Sequence, residues 1–566
     1  MIMKTTSLLL AAALALTIHS AQAASGDWTG TTDGNWNVDS NWTGASFPGT
    51  FGETATFNAD VPFSTVSMNG AAISLTSIVF DSSAEAYTFN AGGGSLQLAA
   101  VSISSSVGAA VTQTFNLAVN IDSTSSATNN STSAILNLAG GANNIGAANR
   151  LLRFYGVGTT NLNGMSQTGG GILTIEKRQT GKLILTGTST KTGVTQIRDG
   201  ILQINSVGAL GTAEVQFAGG IIGLGAENFT LGLGSGINKI RWIAPEATAA
   251  GTGFAAYGAD RIVNIGNASA TFNWEATSSI KDGQTLILGS ADSTNKVIFQ
   301  NGLGLADKAR TILVNNGTSS TNVDGEISGA ISSTVAASGS LVKTGAGTLL
   351  LSATNTYTGL TTVSVGTLLV GNSSGVGSLA GGATVASGAV LGGSGSIAGV
   401  TTIQSGARLA PGNSPGLLTV NNDVTIEDGG IFTVEVNGTT AGTGYDRLAM
   451  TGGGSDFSLT GSNDLEMSLG FTPAANALFF LVDNAGGSAI SGIFESLNGV
   501  VTDLSQGALF SVGGQDFNIS YTGDLVGNAF TGGDDLVIQA VPEPTTWVML
   551  ALGGLFLLGF RRRAHC

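Results

Sequence analysis

Carboxylates are the side chains of this chain most able to do chemistry, because the partners needed for most other reactions sit only at its ends. His19, His565 and Cys566 are the entire complement of histidine and cysteine. The chain between the terminal segments therefore cannot build a thiol nucleophile, a Ser-His-Asp triad, a haem ligand set, an ordinary zinc site or a disulfide. Asp423, Glu427 and Asp428 form one acidic group, and Asp534 and Asp535 another. Paired acids can act on glycosidic bonds, and clustered acids can hold calcium. Asp423 and Glu427 fall on one face of an alternating strand, whereas Glu427-Asp428 straddles a turn, and no repeated-Asp calcium loop surrounds them. Solvated turns are the expectation, with a structural calcium site as the alternative to no cofactor at all. GNSSG at 371–375 and GNSPG at 412–416 match Gly-x-Ser-x-Gly, but a nucleophile elbow needs a following helix and a histidine. GLGSG at 232–236 lacks the strand–helix setting of a phosphate loop. All three are expected to be turns, and no catalytic, cofactor-binding or metal-binding residue is assigned.

Aromatic residues offer a second route to function. Trp28, Trp36 and Trp42 lie within fifteen residues, spaced by Gly, Asn and Asp. Exposed, they would make a platform for sugar rings; buried, they would close the open end of a β-stack, which is the expected role.

The elements that must carry these residues are short strands. Charged residues make up 10% of the 566, and glycine supplies 86. Such low charge with positive mean hydropathy excludes a disordered chain, and the glycines lack the strict period of collagen. Thr, Ser, Val, Ile, Leu and Phe alternate between Gly, Asn and Asp turns, as in a chain of many strands. Without Lys4 and Arg561 to Arg563, 17 basic residues face 36 acidic ones, a net of −19. That excess disfavours nucleic acid as a partner and suits a hydrated extracellular setting.

Both ends read as addresses. At the start, Lys4, an apolar core from Leu8 to Ile18, and small residues at Ala21 and Ala23 predict a signal peptide over 1–23, cleaved after Ala23. At the close, Val541, Pro542, Glu543 and Pro544 precede an apolar run over 547–560 and then Arg561, Arg562 and Arg563. Fourteen helical residues span about 21 Å, short of the ~30 Å hydrocarbon core. A transmembrane helix inserted only transiently in the inner membrane, oriented by its arginines and then removed, fits better than a lasting anchor. The two prolines keep the segment before it extended. This tail resembles the PEP-CTERM sorting signal, which implies processing by an exosortase in a Gram-negative bacterium that makes exopolysaccharide.

An internal repeat sets the architecture. KRQTGKLILTGTSTKTGVTQIRDGILQI from Lys177 matches KTGAGTLLLSATNTYTGLTTVSVGTLLV from Lys343, with Leu183/Leu349, Gly193/Gly359, Gly200/Gly366 and Leu202/Leu368 in register. Each copy alternates with period two between glycine turns, and so must stack on its neighbours to bury its apolar face. VASGAVL, IQSGARL and IEDGGIF, starting at Val385, Ile403 and Ile426, repeat at steps of 18 and 23. The copy at Lys343 resembles the autotransporter-associated, or passenger-associated, transport repeat. The copy at Lys177 departs from that pattern at Gln179, Ser189 and Lys191. The resemblance implies a right-handed parallel β-helix and carries no catalytic residues. The hundred or so residues before Val541 are too few for a translocator barrel.

The expected fold is thus all-β, a parallel β-solenoid with a β-rich C-terminal cap and helix only in the cleaved termini. Its expected division is a Trp-led β region at 24–165, a β-helix at 166–436 holding repeats at about 175–205 and 341–371, a β-rich region at 437–540, and the sorting signal at 541–566. The expected function is that of a non-enzymatic structural or adhesive protein of the cell envelope, surface or exopolysaccharide matrix. Its partners would be an exosortase-type enzyme and matrix polysaccharide or protein. A carbohydrate-binding or polysaccharide-degrading protein using carboxylates is the alternative.

Overall fold

The computed structural model describes residues 25–542, apart from 45, 60, 104–110, 246–250, 319–322, 336–337 and 486–487. Ala21, Ala23, Glu543, Pro544, Arg561, Arg562 and Arg563 therefore lie outside the described residues, as does the segment expected to insert in the membrane. Among the described residues no helix is long and apolar enough to cross a membrane, and helical structure is confined to two 3₁₀ turns, Asp39–Asn41 and Val207–Leu210. The chain divides into two compact units, up to Gly171 and from Ile172.

In the first unit, Gly26–Asp27, Thr54–Phe57, Ala72–Phe80, Ser95–Ile103, Ser125–Asn129 and Arg150–Gly156 pair in parallel, each on the next. Thr54 meets Ser77 and Ser77 meets Ala100, so one rung takes 23 residues there. A second ladder stacks Thr65–Ser67, Thr88–Asn90, Thr112–Phe115, Ile135–Leu138 and Thr159–Leu162. Parallel strands cannot be joined by tight hairpins, so each must be reached by a full circuit of the chain. The alternation in sequence becomes alternation in space: Phe57, Phe80, Phe89 and Phe115 all turn inward and are buried.

The second unit continues the same construction with three strands in many rungs. One ladder runs from Lys182–Leu185 through Ser340–Thr344, Thr361–Val363, Ala383–Val385 and Thr401–Ile403 to Val424–Ile426 and Phe457–Leu459. Val385 pairs with Ile403 and Ile403 with Ile426, which is the stacking that the steps of 18 and 23 anticipate. A second ladder runs from Arg261–Val263 to Phe494–Leu497, and a third from Thr354–Asn355 to Leu478–Asn484. Beyond Leu478–Asn484 the third ladder turns antiparallel, through Asp535–Ala540, Gln515–Gly523 and Leu509–Val512. Antiparallel pairing closes the hydrogen-bond row without another circuit of chain.

Inward positions carry Leu, Ile and Val, each stabilising by about 1.5–3 kcal/mol when fully buried. Corners are tied by asparagine. Nδ2 of Asn301 donates to the carbonyls of Ile265 (3.0 Å) and Ala270 (2.9 Å), and that of Asn355 to Ala353 (3.0 Å) and Ser378 (2.9 Å). A neutral amide meets backbone groups of successive rungs without the desolvation cost of a charge.

Candidate functional site: repeat turns and a sheet groove

The repeat's lysine sits at an inward position. On Ser340–Thr344, Leu341 and Lys343 both point to the core, and Lys343 is fully buried beside Val363 of the next rung. Its Nζ donates to the carbonyl oxygens of Gly345 (2.6 Å), Val365 (2.9 Å) and Gly347. One ammonium thus uses its three protons on the turns of two adjacent rungs. Lys177 repeats the arrangement, donating to Arg178 (2.7 Å), Gln179 (2.6 Å) and Asp199 (3.4 Å). Burial pushes both ammonium groups down, to about 8 for Lys343 and about 7 for Lys177.

Glycine makes the cradle. A Cβ on Gly366, whose φ is +72°, would stand 2.5 Å from the Gly345 oxygen and 2.7 Å from Lys343 Nζ. Gly200, at φ +69°, faces Gln179 and Lys177 in the same way. Where Gly345 takes φ +77°, Gln179 is forced to +58°. A side chain in that region costs energy that glycine does not. Gln179→Gly is therefore expected to raise stability by ~0.5–1 kcal/mol, read as a higher melting temperature.

The other departures of the first copy are also paired differently. Tyr357 is buried, with its hydroxyl 2.6 Å from Thr361 Oγ1. Lys191 stands at the matching position, fully buried, and donates to the Gly193 carbonyl at 2.6 Å. Thr195, the counterpart of Thr361, has no hydrogen-bond partner for its hydroxyl among the described residues.

The tryptophans are core. Trp28, Trp36 and Trp42 are at most 4% exposed, and their indole N–H groups donate to the carbonyls of Phe63 (2.8 Å), Pro48 (2.6 Å) and Trp36 (2.9 Å). Trp36 and Trp42 lie 4.7 Å apart, and all three rings pack on Phe57. No ring face is left for a sugar. The acidic candidates serve turns: Asp423 accepts from the Asp456 N–H (3.0 Å), Asp428 from Ser462 (2.8 Å), and Asp535 from Asn484 and Leu525 (2.7 Å each). Asp534 lies close enough to Asp483 and Asp535 to help push their carboxyls up, after burial, and among the described residues no three His, Cys, Asp or Glu side chains are placed to hold a metal ion.

A groove that local sequence did not reveal lies on the outer face of the second ladder. It holds about 680 Å³ and runs from Lys296 and Glu326, over Leu350, Leu369 and Ala410, to Glu435 and Asp446. Both Gly-x-Ser-x-Gly turns contribute to its wall through Ser373 and Ser414. Lys296 Nζ donates to Glu326 at 2.6 Å, and the Ser414 hydroxyl to Glu435 at 2.7 Å. Asp446 is buried and accepts the N–H groups of Gly416 (2.7 Å) and Glu435 (2.8 Å). Burial pushes its carboxyl up to about 7, against the pull of those two donors.

That shift has a sign. The folded state holds the Asp446 proton more tightly than the unfolded chain, so this residue's contribution to stability falls as pH rises from about 4 to about 7. Asp446→Asn removes the dependence. Melting temperatures at pH 5 and pH 8 should show the variant gaining on the parent protein at the higher pH; an unchanged gap would refute the assignment.

The last strand leads directly into the sorting segment. The Val541 N–H donates to the Asp516 carbonyl (2.8 Å), and Gln515 Nε2 donates to the Val541 carbonyl (2.8 Å). Pro542 follows, exposed.

Stacked parallel rungs, lysine-tied turns and a terminal strand that runs up to Val541 and Pro542 define a β-solenoid repeat protein. The Passenger-associated-transport-repeat family matches residues 175–204 and 341–370, and the PEP-CTERM protein-sorting motif matches residues 540–563. The chain thus carries two such repeats and an exosortase sorting motif, which together mark a protein of the cell envelope or surface. No match was found among curated proteins.

Proposed function

We propose that this protein is a non-enzymatic structural or adhesive element of the envelope or exopolysaccharide matrix of a Gram-negative bacterium, delivered there when an exosortase removes its C-terminal segment. The observation that carries this reading is the sorting motif at 540–563, joined without a linker to the last strand of a folded β-solenoid. The repeat's polar residues support it, since Lys177, Lys191 and Lys343 are engaged with backbone carbonyls rather than aimed at solvent. Function then lies in length and surface area, which stacking supplies.

Intact-mass analysis of the protein recovered from its host tests the reading. The expected product lacks residues 1–23 and the segment after the Pro-Glu-Pro triplet. Replacing Arg561, Arg562 and Arg563 together by glutamine should leave the C-terminal segment in place. A chain that keeps its C-terminus in the parent strain would overturn the sorting role.

A second reading, a protein that binds or cleaves polysaccharide through carboxylates, is favoured by the groove at Glu326, Glu435 and Asp446. Depolymerisation of the host's exopolysaccharide that disappears on Glu435→Gln would establish cleavage and displace the structural reading.

A further inference from the structure

The groove crosses six parallel strands, from Gly325–Ile327 to Ile431–Val436, and reaches a seventh rung at Lys296, just before Val297–Phe299. At ~4.8 Å per strand its length along the stack is about 29 Å, which suits an extended polymer better than a compact metabolite. Its floor is a row of outward aliphatic groups, Leu350, Leu369, Val390 and Ala410. The row dips at Gly392, where a Cβ would come within 2.6 Å of the Ala410 carbonyl. Threonine and serine hydroxyls and asparagine amides form the walls. An apolar strip between hydrogen-bonding edges matches a chain whose units have a C–H face and hydroxyl rims.

Charge narrows the occupant. The single cation of the lining, Lys296, is already bound to Glu326, while Glu435 adds negative charge at the far end. The sequence as a whole carries a net charge of −15. An acidic polymer would meet repulsion at the Glu435 end, and a neutral one would leave Glu435 without a counter-charge.

We propose that this groove binds a strand of amine-bearing polysaccharide, a hexosamine polymer lying along the stack with its ring faces on Leu350, Leu369 and Ala410 and an ammonium group at Glu435. This names the matrix partner of the structural reading above and rests on that reading for its setting. The intact-mass experiment reads processing alone, so the two can fail separately.

The test is calorimetric titration of the full processed protein with three soluble probes: a fully deacetylated glucosamine oligomer, its N-acetylated counterpart, and a uronic acid oligomer. The deacetylated oligomer should bind at least tenfold more tightly than either other probe, with affinity falling as salt is added. Glu435→Gln and Ala410→Arg should each weaken it at least tenfold. Thr402→Arg, on a strand of a different ladder, should leave it unchanged, and unaltered melting temperatures show that the variants fold. Equal affinity for the three probes, tighter binding of the acidic one, or binding indifferent to Glu435→Gln would overturn the proposal. Equal affinity for oligolysine would overturn it too, by reducing the groove to an ion exchanger.

Discussion

Replacing Lys343 by methionine is expected to destabilise the second unit by about 3 kcal/mol, although it exchanges a buried charge for an apolar side chain of similar length. The gain from removing a desolvated ammonium is real, since burial, against the attraction of Asp324, pushes Lys343 down to about 8. Against it stand the carbonyls of Gly345, Gly347 and Val365, which all lose their shared donor. Buried acceptors left unpaired cost more than a made hydrogen bond contributes. Hydrogen exchange should show the loss locally, as faster exchange at the amides flanking 345–347 and 365–367.

The pH dependence of the same position has a definite sign. The folded state releases the Lys343 proton near pH 8, whereas the unfolded chain holds it to about 10.5. The parent protein therefore gains stability from this residue as pH rises from about 8 to 10.5, and the methionine variant does not. If Lys343→Met melts at the parent temperature across that range, the lysine is not a turn tie.

Trp36→Ala is expected to cost the first unit ~3–5 kcal/mol. Trp36 is fully buried, donates to Pro48, and packs on Trp42, Phe57 and Phe89. A solenoid end has a neighbour on one side only, so loss of its largest side chain cannot be shared with another rung. Limited proteolysis should cut the variant first within 25–171, while the repeats at 175–204 and 341–370 stay resistant. Uniform resistance of both units would refute a capping role.

Much of this design is local and so was readable from residue order. Period-two alternation and glycine turns define each strand, and the steps of 18 and 23 from Val385 to Ile426 became the observed pairings. The terminal segments, the repeats and the absence of histidine and cysteine between the ends likewise need no structure to be seen. Lys343 and Lys177 were legible as repeat landmarks but not as core. A lysine at an inward position breaks the apolar pattern unless carbonyl oxygens from the next rung are there to receive it, and those lie about twenty residues away. The tryptophans show the same limit, because spacing alone does not separate an exposed platform from a buried cap.

The groove is the clearest case. Its lining is drawn from Lys296 to Asp446, one or a few residues per rung, and no stretch of sequence contains it. Sequence by itself determined the strands, the turns and the addresses, because these follow from neighbours along the chain. Only the stacking decided which polar residues are buried and which acids meet on one face, because parallel rungs bring together side chains that the chain itself keeps a full circuit apart.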